Sequence, residues 1–152
     1  MVQVSAANLA NDDVRSLITL HQQRMYDGSP PGTSFALDLS GLEGAAVTVL
    51  EARDADTLLG VGALLELSST EGEIKSMRTA DSALRRGVGQ ALLDHIVGIA
   101  RERGYRRLLL ETGTGETFEP ANRLYLRNGF TRCAPFGDYA ETDFNIFYEL
   151  AL

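Results

Sequence analysis

"LRRGVGQALLDHIVGIARERG", Leu84 to Gly104, decides how this chain is read. Val88, Leu92, Leu93, Ile96, Val97 and Ala100 recur at i, i+4, i+5, i+8, i+9 and i+12, one face of an amphipathic helix. Gly104 stands where such a helix stops. At its mouth, Gly87 and Gly89 lack the Cβ atoms that would hold a ligand off the backbone. A helix N-terminus carries unpaired N–H groups and a partial positive charge, so it can seat phosphate. Arg85 and Arg86 add cationic donors. Two phosphate loops are excluded: no Lys-Ser/Thr follows the glycines, and position 92 is Leu, which breaks a G-x-G-x-x-G. Alone, G-x-G before a helix fits a ligand loop or a tight strand-to-helix turn.

Upstream, "VQVSA" (2–6) reads as a strand and "NDDVRSLITLHQQRMY" (11–26) as a helix with an Asn/Asp start. "DGSPPGTS" (27–34) is a loop, since its prolines and glycines deny helix and ladder alike. A short helix is expected at "LDLSGL" (37–42). "AAVTVLEA" and "LLGVGALLEL" form a hairpin across "RDADT", and "TEGEIKSMRTA" (70–80) is a further strand. Downstream, "YRRLLLET" (105–112) is apolar enough for a strand covered on both faces. "FEPANRLYLRNGF" (118–130) is a helix with Pro120 near its start and Gly129 at its stop. "TRCAPF" (131–136) and "NIFYELAL" (145–152) complete the strands. The order β-α-α-β-β-β-α-β-α-β-β predicts one α/β domain over residues 1–152 with a single mixed central sheet.

The formal net charge of −7 argues against nonspecific nucleic-acid binding. Ten of the fourteen basic residues but only six of the twenty-one acids fall within 78–132, so a basic middle sits in an acidic remainder. That distribution suits a centrally held anionic ligand, or only solvated helix faces. No apolar run approaches the ~18 residues of a membrane span. The single cysteine, Cys133, forms no internal disulfide, and "MVQVSAANLANDDV" lacks signal-peptide character, so the expected location is the cytoplasm. His21 and His95 have no ligand spacing around them, so no metal is expected.

The combination "GEIKSMRT…LRRGVGQALL…RRLLLET…LYLRNGF" resembles the GNAT superfamily of acetyl-coenzyme A-dependent N-acyltransferases. The resemblance is strongest over 73–130, and the element order agrees with that fold throughout. It implies a mostly antiparallel sheet flanked by helices, acetyl-coenzyme A as co-substrate, and homodimers as a candidate assembly. The family's six-residue motif R/Q-x-x-G-x-G/A, which wraps the coenzyme pyrophosphate with backbone amides, falls on Leu84-Arg85-Arg86-Gly87-Val88-Gly89, followed by Gln90. Leu84 stands where the family usually has Arg or Gln. Leu124, Tyr125, Gly129 and Phe130 match the L-Y-x-x-x-G-F helix end, while Phe118 replaces a common asparagine. The family's bulged fourth strand frees main-chain groups toward the thioester, which implies coenzyme contacts at Met77, Arg78 and Thr79. "SPP" with "ALDL", "GEIKSMRT", "ETG" and "F-x-P-A-x-x-LY" narrow the likeness to a bacterial subgroup without a known substrate.

Acetyl transfer to an amine needs a coenzyme seat, a polarised carbonyl, a neutral amine and a proton for the departing thiolate. Tyrosine at the Tyr125 position serves as general acid in relatives, and a phenol near pKa 10 can donate to a thiolate near 8.5; packing between helix and sheet is the alternative. Glu73, eleven positions before Leu84, matches the catalytic glutamate of the histone-acetyltransferase branch and is the candidate base. Glu111 is its rival, and an ion pair with Lys75 or an arginine is the plain alternative for either. Cys133 reads as a small packed residue or an activated thiol beside Arg132. No nucleophile motif appears, which favours direct attack.

The first two helices and the late loop remain to build the acceptor site. They offer Tyr26, Phe35, Phe136, Tyr139 and Phe144 with Asp27, Asp38, Asp138, Glu141 and Asp143, which suit a cationic small-molecule or peptide amine. Arg24 and Lys75 could equally bind a carboxylate on the acceptor. A noncatalytic acyl-coenzyme A-binding module and a protein N-acetyltransferase are the alternatives.

Overall fold

A computed structural model describes residues 1–152. In chain order it contains β1 (Gln3–Ala6), α1 (Asp12–Asp27), α2 (Leu39–Leu42), β2 (Val47–Asp54), β3 (Thr57–Glu66), β4 (Glu71–Thr79), α3 (Val88–Glu102), β5 (Arg107–Gly113), α4 (Glu119–Arg127), β6 (Thr131–Arg132) and β7 (Asn145–Ala151). Short 3-10 turns at Asp81–Ala83 and Glu116–Phe118 lead into α3 and α4. The element order is the expected one. One element is shorter than expected: the strand at 131–136 ends at Arg132, with one further bond from Cys133 N to Phe147 O at 3.0 Å. Pro135 has no N–H to continue the ladder.

The strands form one sheet in the order β1-β2-β3-β4-β5-β7-β6, antiparallel at every junction except β4–β5. The apolar stripe of α3 packs on one face, where Leu92, Leu93 and Ile96 join Leu59, Leu64, Leu108 and Leu110 in the main core. On the other face, Val14, Leu17 and Ile18 of α1 and Leu42 of α2 pack on Val49, Val61 and Ala63. No helix is long and apolar enough to cross a membrane.

Two irregularities open the sheet. The parallel pairing of β4 with β5 runs only through Glu71–Glu73 and Arg107–Leu109, after which the strands separate. In the same stretch β4 bulges: Val61 pairs with Arg78 and Ala63 with Lys75, so Ser76 and Met77 oppose the single residue Gly62. Ser76 takes a left-handed backbone, φ +57°, and its buried Oγ has no hydrogen-bond partner. A bulge of this kind bends the strand and leaves main-chain groups out of the ladder. The result is a V-shaped break near the middle of the sheet.

Candidate active site

The break holds a cavity of about 580 Å³ that reaches both faces of the sheet. Of the residues singled out from the sequence, Glu73, Met77, Arg78, Thr79, Arg85, Gly87, Val88, Gly89, Gln90 and Tyr125 all line it. Arg86 does not; its Nη2 lies 3.0 Å from Asp54 Oδ2 at the exposed end of β2. Gln90 turns its side chain to Asp94 and Asn128, at 2.8 and 2.7 Å, so what it offers the cavity is its main chain.

The loop before α3 is shaped for an anion. Arg85 and Gly87 both adopt left-handed backbones, φ +65° and +76°, which turns successive amides inward as a concave nest. The N–H groups of Arg86 through Gln90 find no acceptor within the chain; the first helical bond is Ala91 N to Gly87 O, 3.0 Å. A Cβ added at Gly87 would meet no atom within 4 Å, so the approach to these amides is open. Free donors, a helix N-terminus and bare backbone fit a pyrophosphate.

Tyr125 comes from α4, beyond the same loop. Only 5% of it is exposed, and its ring meets Phe130 and Tyr148 at centroid distances of 5.5 and 6.3 Å. Its hydroxyl bonds to no other group of the chain, and burial raises its pKa, so the phenol keeps its proton.

Across the cavity the two carboxylates differ. Glu73, only 4% exposed, accepts from Tyr139 OH at 2.5 Å and from Lys75 Nζ at 3.3 Å, while Lys75 also donates to Tyr139 OH at 2.8 Å. The ion pair with Lys75, the plain alternative for this residue, is therefore present. Tyr139 holds its proton tightly because burial and the Glu73 charge raise its pKa, which keeps it a donor to that carboxylate. Glu111 accepts from Asn145 Nδ2 at 2.6 Å, and burial raises its pKa. Tyr139 and Asn145 support the carboxylates from the late loop and β7. Their roles were not legible in the sequence, since 66 residues separate Tyr139 from Glu73 and 34 separate Asn145 from Glu111.

Toward α1 the surroundings turn cationic. Arg24 and Asp81 form a two-pronged pair, both contacts 2.7 Å. Arg78 Nε donates to His21 Nδ1 at 3.1 Å. Burial, then the Arg78 charge, lowers the His21 pKa to about 3, so the ring is neutral with its remaining proton on Nε2. The expected acceptor wall is thus corrected. Phe35 and Phe144 line the cavity, but Tyr26 is largely exposed and Asp27, Asp38, Asp138, Glu141 and Asp143 do not reach it. Asp38 instead caps α2, accepting from Gly41 N at 2.8 Å. The acids that do reach the cavity are Glu73, Asp81 and Glu111. Cys133 lies apart, its thiol pushed up by burial and by Glu149, and is not activated. No group of three or more His, Cys, Asp or Glu side chains is placed to hold a metal ion.

A split sheet, a bulged β4 and a nest of amides opening onto one cavity define an acyltransferase site, and the comparisons agree. The model of the acetyltransferase (GNAT) family matches residues 14–130, and the chain belongs to that family. It is 44% identical to the uncharacterized N-acetyltransferase YsnE of Bacillus subtilis (strain 168), over 96% of this chain and 97% of that one. It is 40% identical to the uncharacterized N-acetyltransferase YedL of Escherichia coli (strain K12), over 100% and 96%. Among solved structures, a provisionally assigned acyl-CoA N-acyltransferase from Klebsiella pneumoniae superposes with a TM-score of 0.83 at 25% identity, covering 100% of this chain and 98% of that one. A GNAT family acetyltransferase from Elizabethkingia anophelis with acetyl-CoA bound shares the fold, with a TM-score of 0.72 at 17% identity over 99% and 98%. The protein is a GNAT-family N-acetyltransferase.

Proposed function

We propose that the protein transfers an acetyl group from acetyl-CoA directly to a primary amine of a small molecule, an amino acid or a peptide. The observation that carries this reading is the nest of free amides at Arg86–Gln90, which opens onto the cavity that Tyr125, Glu73 and Glu111 also reach. Acetyl-CoA supplies the activated acetyl group. The nest and the N-terminus of α3 receive its pyrophosphate, with Arg85 adding charge. The main chain of Met77, in the bulge, and of Thr79, on the edge of β4 that β5 has left, takes the pantetheine and polarises the thioester carbonyl. Tyr125 donates its phenolic hydrogen toward the leaving sulfur. Glu73, steadied by Tyr139 and Lys75, accepts the proton of the amine.

A second reading of the base rests on one observation: burial raises the proton affinity of Glu111, which lines the same cavity. Glu73→Gln and Glu111→Gln separate the two. The variant that lacks the base loses about 10²-fold or more in kcat, whereas the other keeps most of it.

Calorimetric titration with acetyl-CoA, on the wild type and on Gly89→Glu, tests the coenzyme seat. Wild-type binding that the variant loses supports it, because the new carboxylate would crowd and repel phosphate. Absence of wild-type binding would overturn the transferase reading of this site.

A further inference from the structure

The cavity is lined by Arg24, Lys75 and Arg78 on its side away from α3, and only two of these cations have an anionic partner. Arg24 is held by Asp81 and Lys75 by Glu73. Arg78 has neither. Its one hydrogen bond goes from Nε to the neutral His21, and its Nη groups make none within the chain. The side chain is half-buried, and burial followed by the Arg24 charge weakens its hold on the proton; the charge of Asp81 opposes this, but that carboxylate is bonded to Arg24 and makes no ion pair with Arg78. A cation so placed costs stability unless an anion meets it. A guanidinium with both Nη groups free presents the parallel donors that grip a carboxylate in two-pronged fashion.

Its position identifies which substrate brings that anion. Successive side chains of a strand point to opposite faces. Met77 packs against the core beneath α3, whereas Arg78 crosses to His21 on α1. The coenzyme phosphates belong at the α3 end, where the free amides, Arg85 and Arg127 lie. What remains for the acceptor is the α1 side, walled by Phe35 and Phe144. We infer that Arg78 binds a carboxylate of the acceptor on this side, so that the acceptor is an amino acid or another amine carrying a carboxylate. This rests on the reading of the cavity as an acetyl-CoA-dependent amine acetyltransferase site, and it moves the anion seat from Arg24 and Lys75, both already paired, to Arg78.

The test uses the full chain, acetyl-CoA and matched acceptors that differ by one carboxylate: histidine and histamine, tyrosine and tyramine, phenylalanine and phenethylamine, lysine and cadaverine. Free-thiol release gives kcat/KM for each, and calorimetry gives acetyl-CoA affinity. The expected result is a preference of about tenfold or more for the carboxylate-bearing member of at least one pair, the range of a charged hydrogen-bonded contact. Arg78→Gln should erase most of that preference through acceptor KM, with Arg78→Lys intermediate because it keeps charge and loses the fork. Acetyl-CoA affinity confirms that each variant is folded. Acetyl-CoA binding without such a preference, or with turnover of no member of any pair, would overturn the inference and leave the transferase reading intact. Loss of acetyl-CoA affinity in Arg78→Gln matching its loss of activity would assign the guanidinium to the coenzyme and also overturn it. A wild type that binds no acetyl-CoA would remove both readings.

Discussion

Tyr125 is enclosed by Phe130 and Tyr148, yet its hydroxyl has no partner in the chain. Removing that oxygen therefore costs little packing and breaks no internal bond. Tyr125→Phe should change stability by less than about 1 kcal/mol in denaturant melts while lowering kcat by about 10²-fold or more. An unchanged kcat would make the tyrosine a packing residue alone. His21 gives a different kind of prediction. Its folded pKa is depressed to about 3 from an ordinary 6.5, so between those values the unfolded chain binds the extra proton and stability falls as pH falls. Between pH 6.5 and 4.5 the loss from this ring is about 2–3 kcal/mol. In His21→Asn the amide oxygen can accept from Arg78 as Nδ1 does, but nothing titrates. Urea melts at the two pH values should show the acid loss reduced by that amount in the variant; an equal loss would mean that other groups govern the acid limb.

At the scale of elements, α3 lies close to β3 because Gly60 has no side chain. A Cβ there would stand 2.7 Å from Val88 Cγ1 and 2.9 Å from the Arg78 carbonyl oxygen. Neither yields easily: Val88 opens the helix and Arg78 belongs to the bulged strand. Gly60→Ala should cost about 1–3 kcal/mol by overpacking and weaken acetyl-CoA binding by displacing the loop ahead of α3. Gly98, exposed on the same helix with nothing within 4 Å of an added Cβ, is the control. Gly98→Ala should stabilise by about 0.5–1 kcal/mol and leave the affinity unchanged; matching effects in both variants would refute the close-packing account. The elements themselves were legible because each carries its own periodicity or punctuation: the α3 stripe, Pro120 and Gly129 around α4, the apolar run of β5. The strand at 131–136 is shorter than its apolar pattern suggests because Pro135, with no N–H to donate, stops the ladder although β7 continues to Asn145. The acidic residues of the loops misled for another reason. Composition places carboxylates in a segment, but only the folded backbone aims them, and Asp38 is aimed at its own helix.

For the whole molecule, the decisive feature is how little joins its two halves at the cavity. β1 to β4 form one antiparallel unit and β5, β7 and β6 another, and the strand pairing between them is confined to three residue pairs at Glu71–Glu73. Arg107 reinforces that junction by reaching both Glu71 on β4 and Glu149 on β7. The coenzyme loop could be found in the sequence because it is local and signed by glycine. The partnerships of Tyr139 with Glu73, Asn145 with Glu111 and His21 with Arg78 could not, because each joins residues 34 or more positions apart that meet only in the folded chain, and the first of them also spans the V. A ligand lying in the V touches both units, and its binding free energy adds to the cohesion of the native state alone. Acetyl-CoA at about 100 times its Kd should add about 2.7 kcal/mol, which raises Tm by about 5–10 °C for a domain of this size. Hydrogen exchange should slow at residues 76–79 and 86–90, the coenzyme contacts, and also along β5, whose free edge faces the ligand. The rise in Tm follows from binding anywhere on the native state, so the exchange pattern decides the point. Protection confined to 86–90 would mean that the coenzyme rests on the loop without bridging the sheet, and the splayed strands would then have no part in holding it.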